Sequence, residues 1–190
     1  MNIVGLLAAA GSASRFGSDK LLHRLPHGVP IAVQAARVLR GELEAVFAAV
    51  RPDARALAEA LAREGCEVVA CENAAEGMGA SLACAARAAG PRGGYVVALA
   101  DMPFVRPSTI AAVREALAAG APLAAPYFRS RRGHPVGIAG GFHRELVALR
   151  GDEGARRLLA AHRVRKIPVG DPGVLRDIDT PADLAPPVRA

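Results

Sequence analysis

The chain is poor in aromatic residues and has no long apolar run. Phe, Trp and Tyr make up 4% of its 190 residues, and tryptophan is absent. No apolar run approaches the ~18 residues that a membrane-spanning helix needs. Few rings are available to stack on bases, and there is no dense Lys/Arg run, so the composition argues against a nucleic-acid-binding protein. We expect neither a nucleic-acid partner nor a membrane partner.

Cysteine is also scarce. The three cysteines, Cys66, Cys71 and Cys84, contain no C-x-x-C pair, and an odd number does not build a disulfide framework. We expect them to behave as small buried apolar side chains. The apolar N-terminal segment is short and no Lys or Arg precedes it, which distinguishes it from a secretion signal. These features predict a cytoplasmic protein.

The net charge of +6 comes from 24 Lys and Arg against 18 Asp and Glu. A small anionic ligand explains this surplus of positive charge as well as a polynucleotide does, and the features of polynucleotide binding are missing. The length predicts one domain over residues 1–190, with a frayed tail at about 185–190.

Strands and helices are predicted to alternate four times along the first two thirds of the chain. The four predicted β-α pairs are 2–9 with 30–39, 44–50 with 53–65 (capped by Asp53), 66–71 with 80–89, and 95–100 with 107–119. This alternation favours an α/β fold, a Rossmann-like three-layer sandwich with a mostly parallel sheet and helices on both faces.

The regular alternation of predicted strands and helices ends after residue 126. The segment 129–141 resembles a hairpin or arm, and helices are predicted from 142 and from Asp152 to 162. Strands are predicted at 165–169 and, as a last short one, at 175–180. In a parallel sheet, ligands bind outside the carboxyl ends of the strands, so polar residues at those ends are the candidate site.

The first such stretch is "AAAGSASRFGSDK", residues 8–20. Gly11 lets the backbone approach a ligand, and Arg15 and Lys20 add positive charge for phosphate oxygens. Neither the G-x-G-x-x-G fingerprint nor the P-loop pattern is present. The alternative is an ordinary strand-to-helix loop with exposed cations.

Aspartates follow two predicted strands. Asp101 ends the run "YVVALA" and is placed either to bind Mg²⁺ or to cap a turn. In "DIDTPADL", an extended backbone would put Asp177 and Asp179 on one face and Ile178 towards the core. One of these carboxylates would complete an ion site with Asp101. The alternative is a helix start, with Asp179 or Thr180 as its N-cap.

Two further segments combine polar residues with glycine. "ENAAEGMGASL" places Gly79 and Ser81 at a helix start, where free N–H groups would suit a phosphate, or where a flexible loop would stand. "RSRRGHPVGI" carries Arg131 and Arg132, whose guanidinium groups suit bidentate phosphate contacts or belong to a solvated charge run. It also carries His134, which precedes a proline and is either a turn residue or a general base.

Taken together, six motifs resemble those of MobA-like NTP transferases, nucleotidyltransferases of the molybdenum-cofactor type, most of all molybdenum cofactor cytidylyltransferases. They are "AAAGSASRFGSDKLL", "ENAAEGMGASL", "ALADMPFV", "GHPVGI", "GDEGARRLL" and "DPGVLRDIDTPADL". They occur in the family's order, and the resemblance runs from about residue 2 to 184. "EGMGASL", "GDEGAR" and "DIDTPADL" are the most specific to this branch.

The resemblance implies a fold like that of nucleotide-diphospho-sugar transferases, and an enzyme that joins an NTP to a phosphorylated acceptor and releases pyrophosphate. It implies catalytic roles for Arg15, Lys20 and Asp101, and Mg²⁺ as cofactor, held by Asp101 and Asp179, with Asp177 as the alternative. The implied nucleotide-binding residues are Ala9, Ala10, Gly11, Arg15, Lys20, Gly79 and Ser81. The implied acceptor-binding residues are Arg131, Arg132 and His134.

The implied substrates are CTP and a phosphorylated, pterin-type acceptor, and a molybdoenzyme would be the partner. Guanylyl-transferring relatives usually carry Gly-Gly where this chain has Ala10 and Gly11, which favours CTP over GTP. The loop departs from the family at Ala8 and Ala13 without losing charge, which leaves base and acceptor preference open. Two alternatives remain: transfer to a sugar or polyol phosphate, and a non-catalytic escort that binds a pterin cofactor.

Overall fold

A computed structural model of the chain describes residues 1–11 and 20–184. Within these residues, eight strands form one mixed sheet in the order β3-β2-β1-β4-β7-β5-β6, with β8 alongside β5. The strands are β1 (Ile3–Ala8), β2 (Val46–Val50), β3 (Glu67–Ala70), β4 (Gly94–Leu99), β5 (Leu123–Phe128), β6 (Arg131–Arg132), β7 (Val136–Ala139) and β8 (Val164–Pro168). Arg15 and the tail predicted to fray lie outside the described residues.

β1 to β4 pair with one another in parallel. β7 runs antiparallel between β4 and β5, and β8 pairs with β5 in parallel. The sheet is therefore mostly parallel, which confirms the predicted α/β class. Four of its strands were predicted in the first two thirds of the chain and have the expected connections through helices.

Helices cover both faces of the sheet. They are α1 (Ile31–Glu42), α2 (Arg55–Arg63), α3 (Met78–Ala89), α4 (Pro107–Ala118), α5 (His143–Val147) and α6 (Arg156–Ala161). β1 shows how the two cores arise: Ile3 and Leu7 pack with α1, α2 and α4, whereas Val4 and Leu6 pack with α3, α5 and α6. Alternate side chains of a strand point to opposite faces, so β1 contributes to both cores. The predicted three-layer arrangement is confirmed.

Three local predictions were wrong. The segment 175–180 is not a strand: a 3₁₀ turn covers Pro172–Leu175, and the backbone that follows forms no ladder. Asp53 does not cap α2, whose N-cap is Ala54, and α6 begins after Ala155 rather than at Asp152. Short polar residues near a helix start are good candidates for caps, but the N-cap positions here lie one residue after Asp53 and three residues after Asp152.

The predicted arm after residue 126 is a hairpin joined to the main sheet. Tyr127 and Phe128 on β5 pair with Arg132 and Arg131 on β6, across a two-residue turn. Both turn residues have positive φ, 48° at Arg129 and 65° at Ser130. The chain then continues into β7, which the sequence analysis assigned to the arm but which lies in the middle of the sheet.

Two of the cysteines are joined. Cys71, just after β3, forms a disulfide with Cys84 on α3, whereas Cys66 is free and buried. The expectation of three unpaired thiols was therefore wrong for Cys71 and Cys84. Their separation of 13 residues gives no recognisable spacing, and only the packing of α3 against the sheet brings them together. No helix in the described ranges has the length and apolar character needed to cross a membrane.

Candidate active site

The candidate site lies at the carboxyl ends of β1 and β4. The two strands are adjacent and parallel, with Ala8 opposite Leu99, so the residues that follow them begin at the same edge of the sheet. Ala100 donates its backbone N–H to the carbonyl oxygen of Ala8 over 3.0 Å. Ala9 and Ala10 are buried there, and Gly11 is exposed. The first loop and Asp101 therefore leave the sheet side by side.

Lys20 reaches this edge from a 3₁₀ turn at Lys20–Leu22. Leu21, the middle residue of the turn, is buried in the core under α1 and anchors it. The Nζ atom of Lys20 lies 3.0 Å from Oδ2 of Asp101 and 3.0 Å from Oδ1 of Asp179. One ammonium group thus bridges two carboxylates that come from different parts of the chain.

This bridge determines the protonation of Lys20. Burial by itself lowers the pKa of the lysine, but the charge and hydrogen bond of Asp101, followed by those of Asp179, outweigh it and leave the pKa raised. The side chain is 12% exposed, compared with 25% for Asp101 and 53% for Asp179. Lys20 is therefore a fixed positive charge in a partly desolvated position, where electrostatic interactions are stronger than in water.

A third carboxylate joins the same cluster. One oxygen each from Asp101, Asp177 and Asp179 lie within 4.8 Å of one another. A Mg²⁺ or Mn²⁺ ion takes oxygen ligands at about 2.1 Å, so ligands on opposite sides of one ion are roughly 4 Å apart. The set of donors and its spread fit such an ion. The sequence predicts Asp177 and Asp179 as alternative ligands, whereas the structure brings both to Asp101.

The backbone around Ile178 places the two aspartates. Ile178 is fully buried between exposed Asp177 and Asp179, as the sequence analysis expected from its apolar side chain. Its backbone N–H donates to the carbonyl oxygen of Asp101 over 2.9 Å. This bond fixes the segment against the end of β4, although the segment is not a strand.

Asp171 anchors the same segment at its other end. Its carboxylate is buried and accepts hydrogen bonds from the backbone N–H of Arg106 (2.9 Å), the hydroxyl of Thr109 (2.7 Å) and the backbone N–H of Gly173 (3.0 Å). Arg106 and Thr109 belong to the start of α4. Asp171 therefore connects the N-terminus of α4 to the chain that leads to Asp177, a role that the sequence analysis missed.

A cavity of about 310 Å³ adjoins the acidic cluster through Asp177. Its lining combines apolar side chains, among them Leu82, Leu99 and Met102, with charges of both signs. The charged lining residues are Arg131, Arg132, Asp152, Glu153, Arg156 and Asp177. Arginines next to an apolar surface suit a ligand that has both a phosphate group and an apolar body.

His134 also lines this cavity. Its Nδ1 atom is buried and has no hydrogen-bond partner in the part of the chain that the structure describes. Burial, with the charges of Arg132 and Arg156, lowers the pKa of His134 to about 4, against weaker opposing effects of the Val97 carbonyl and Asp177. The imidazole is therefore neutral at physiological pH, and Nδ1 has a lone pair available to accept a hydrogen bond.

The first turn of α3 packs against the loop at residues 150–152. Gly79 donates its backbone N–H to the carbonyl oxygen of Gly151 over 2.7 Å, and a Cβ atom added at Gly79 would lie 2.5 Å from the carbonyl oxygen of Arg150. The hydroxyl of buried Ser81 donates to the carbonyl oxygen of Gly77. Glycine is required at position 79 by the contact between the first turn of α3 and this loop. A nucleotide-binding role for Gly79 and Ser81 stays a prediction.

The structure thus brings Lys20, Asp101 and Asp179 into direct contact, with Ala10 and Gly11 at the neighbouring strand end. Arg131, Arg132 and His134 lie together around the cavity. Arg15 is outside the described residues. The residues that sequence reasoning missed in the cavity are Met78, Asp152, Glu153 and Arg156. The only signal for the last three was the motif "GDEGAR", which carried the resemblance without a role.

A mixed α/β sheet with a cationic and acidic site at its carboxyl edge is the arrangement of a nucleotide-binding transferase. The sequence profile of the family described as the MobA-like NTP transferase domain matches residues 5–166. The chain belongs to this family and is a nucleotidyltransferase, as its motifs predicted.

Solved structures agree with this placement. The chain is similar to Rv0371c from Mycobacterium tuberculosis H37Rv, with 29% identity over 96% of this chain and 95% of the other, at a TM-score of 0.80. A complex of Rv0371C with manganese matches with 27% identity over 96% of both chains, at 0.80. A nucleotidyl transferase from Methanothermobacter (Mth528) shares the fold, with 24% identity over 95% and 93%, at 0.78. No protein of curated function matches the chain in a sequence comparison.

Proposed function

We propose that this protein transfers CMP from CTP to a phosphorylated acceptor of the molybdopterin type and releases pyrophosphate. The reaction depends on a divalent cation, for which we propose Mg²⁺. The protein acts in the cytoplasm and passes its product to a molybdoenzyme. Membership of the family supports nucleotidyl transfer. CTP as the donor and a pterin as the acceptor are the parts of the proposal that go beyond the family.

The observation that carries the proposal is the contact of Lys20 with Asp101 and Asp179 at the sheet edge where the first loop begins. Nucleotidyl transfer needs a cation for phosphate oxygens and carboxylates for a metal ion at one place. Both are present here, directly beside a cavity with arginines in its lining. That cavity is the proposed acceptor site.

In the reaction, an oxygen of the acceptor phosphate forms a bond to the α-phosphorus of CTP. The bond from the α-phosphorus to the bridging oxygen breaks, and pyrophosphate leaves with its electron pair. Negative charge increases on the leaving group, where Lys20 and Arg15 would stabilise it. Arg131 and Arg132 would hold the acceptor phosphate, so the nucleophile is positioned by charge. No side chain has to remove a proton, because a phosphate monoester is already largely ionised near neutral pH.

Asp101 and Asp179, together with Asp177, are the residues that would hold the divalent cation. When bound, such an ion neutralises charge on the phosphates and acts as a Lewis acid on the transferring group. The complex of a relative with manganese supports a divalent cation as the cofactor. The ammonium of Lys20 would then bind phosphate oxygens, and the three carboxylates would bind the metal ion.

The preference for CTP follows from the first loop. Where guanylyl-transferring relatives usually carry two glycines, this chain has Ala10 and Gly11. Ala10 is buried in the core on the side of the sheet that packs against α3. The proposed preference for CTP therefore rests on the motif difference at this position.

The test is pyrophosphate release with CTP, GTP or ATP, with Mg²⁺ or Mn²⁺, in the presence and absence of molybdenum cofactor as acceptor. We expect release with CTP, a divalent cation and the acceptor together, at a rate well above that with GTP or ATP. Thermal unfolding with each nucleotide provides an independent readout, since a ligand that binds the folded state raises its apparent stability.

Each contrary result has a defined meaning. Faster release with GTP would make the protein a guanylyltransferase. Release only with a sugar or polyol phosphate would overturn the pterin acceptor. Stabilisation by the molybdenum cofactor without release under any condition would show a non-catalytic escort.

A further inference from the structure

Lys20 and the proposed metal ion depend on the same atoms. The Lys20 ammonium is 3.0 Å from Asp101 and 3.0 Å from Asp179, and both aspartates belong to the cluster whose oxygens lie within 4.8 Å. These are direct, charge-assisted hydrogen bonds, which are the strong ones in proteins. In the proposed function, however, the same lysine binds phosphate and the same aspartates bind metal.

We propose that the Lys20 ammonium and a divalent cation are alternative partners of Asp101 and Asp179, so that Lys20 holds the metal affinity low until the phosphates of a nucleotide draw the ammonium away. The inference rests on the proposed function. It adds a role that phosphate binding alone does not require: the lysine competes for the metal ligands.

Charge repulsion is the first reason for the competition. An ion bound to Asp101 and Asp179 at about 2.1 Å would be within a few Å of an ammonium that contacts both carboxylates. Two cations at such a distance repel strongly, and more so in a partly desolvated site than in water. The carboxylate of Asp177 adds negative charge but has no direct contact with Lys20 among the bonds that the structure shows. It does not remove the conflict at the other two.

The second reason is the position of the lysine. Its side chain is mostly buried, and buried Leu21 anchors the turn that bears it. Leaving the carboxylates for a place without a counter-charge would therefore leave a desolvated cation unpaired, which is costly. A triphosphate supplies the counter-charge. Nucleotide and metal should thus promote each other's binding, because the nucleotide phosphates bind the Lys20 ammonium and the metal binds the carboxylates that the ammonium leaves.

The experiment measures Mn²⁺ binding without nucleotide, from the electron paramagnetic resonance signal of the free ion. Lys20→Met removes the ammonium and keeps the length of the side chain. We expect this variant to bind Mn²⁺ roughly 10- to 100-fold more tightly than the unaltered protein, which corresponds to the strength of a hydrogen bond to a charged group. Lys20→Arg keeps a cation and should bind Mn²⁺ as weakly as the unaltered protein.

The chain provides a matched control, because its only other lysine is Lys166. Lys166 lies on β8, where its ammonium stacks over the ring of Tyr127. Lys166→Met makes the same change of net charge and should leave Mn²⁺ affinity within about twofold. Melting temperatures of all variants, measured by circular dichroism, verify that each is folded.

Unchanged or weaker Mn²⁺ binding by folded Lys20→Met would overturn the inference, as would no detectable binding by that variant. Equal tightening in Lys166→Met would overturn it too, because net charge would then be the cause. None of these results affects pyrophosphate release by the unaltered protein. The inference and the proposed function can therefore fail separately.

Discussion

The backbone N–H of Ile178 donates to the carbonyl oxygen of Asp101 over 2.9 Å, and this single bond joins the two ends of the acidic cluster. Asp101 follows β4, near the middle of the chain, whereas Ile178 lies close to its end. Because the bond is between backbone atoms, it fixes the distance between the two segments independently of their side chains. Substitutions of the carboxylates can therefore test chemistry with little effect on the fold.

The first prediction is that Asp101→Asn abolishes most activity. The substitution keeps the shape of the side chain but removes the charge that contacts Lys20 and would bind the metal. We expect the rate of pyrophosphate release with CTP, Mg²⁺ and acceptor to fall at least about 100-fold, which is typical for the loss of one electrostatic stabiliser. The melting temperature should change by only a few degrees.

Asp53→Asn is the matched control for this prediction. Asp53 is exposed and forms an ion pair with Arg51 outside the acidic cluster. Its substitution makes the same chemical change and should leave the rate within about twofold. A near-normal rate for Asp101→Asn in Mg²⁺ would show that Asp101 is neither a metal ligand nor a catalytic residue.

The second prediction concerns substrate selectivity. Replacing Arg131 and Arg132 by Gln should raise the KM for the acceptor more than the KM for CTP, because both arginines line the cavity proposed to hold the acceptor. Loss of charge-assisted contacts to a phosphate is expected to raise that KM by tenfold or more. The measurement is steady-state pyrophosphate release with each substrate varied in turn.

Arg129→Gln is the control for the arginine variant. Arg129 is on the same hairpin, but it stacks over Phe128 and is not part of the cavity lining. It should leave both KM values unchanged. Equal increases in the two KM values for the Arg131 and Arg132 variant would contradict an acceptor site at this cavity.

The sequence predicts those parts of the fold that local patterns determine. The apolar runs of β1 and β4 and the glycine after α4 are visible in the letters, and Asp101 is recognisable as the polar end of a buried strand. β7 was assigned to an arm because its position between β4 and β5 depends on pairing with distant strands. Such pairing has no counterpart in the local sequence.

Several residues of the site could be predicted from the sequence, but their contacts could not, because those contacts also join distant parts of the chain. Lys20 is 81 residues from Asp101 and 159 residues from Asp179, so spacing alone could not show that they touch. The motif resemblance suggested all three without saying that the lysine bridges the aspartates. Asp171 was missed because its hydrogen-bond partners at Arg106 and Thr109 become neighbours only when α4 packs near the final segment.

The third prediction is a loss of stability in mild acid caused by His134. The pKa of His134 is about 4 in the folded protein, compared with 6.5 for an ordinary histidine. Between these two pH values, the histidine is protonated in the unfolded chain but remains neutral in the folded protein. The free energy of unfolding therefore falls as the pH decreases from 6.5 towards 4, by up to about 3 kcal/mol from this residue. Denaturant unfolding across that range measures it.

His134→Gln isolates this contribution, since glutamine does not titrate and its amide can replace the ring N–H as a donor to the Val97 carbonyl. The variant should lose less stability between pH 6.5 and pH 4 than the unaltered protein. His27→Gln makes the same substitution at an exposed position and is the matched control. Parallel profiles for His134→Gln and the unaltered protein would mean that His134 is protonated at the same pH in both states.

The last prediction is that reduction of the Cys71–Cys84 disulfide destabilises the fold. The bond closes a loop with a sequence separation of 13 residues, and a cross-link of that size contributes about 3 kcal/mol by restricting the unfolded chain. For a protein of 190 residues this corresponds to a decrease in melting temperature of roughly 5–10 °C when dithiothreitol is added.

Cys84→Ser should melt at the lower temperature with or without the reductant. Cys66→Ser should keep the response to reductant, because Cys66 is unpaired and buried and burial raises its pKa to about 11, which makes it a poor nucleophile for exchange. A melting temperature of the unaltered protein that does not respond to dithiothreitol, together with three reactive thiols after denaturation in the absence of reductant, would show that the bond does not form in solution.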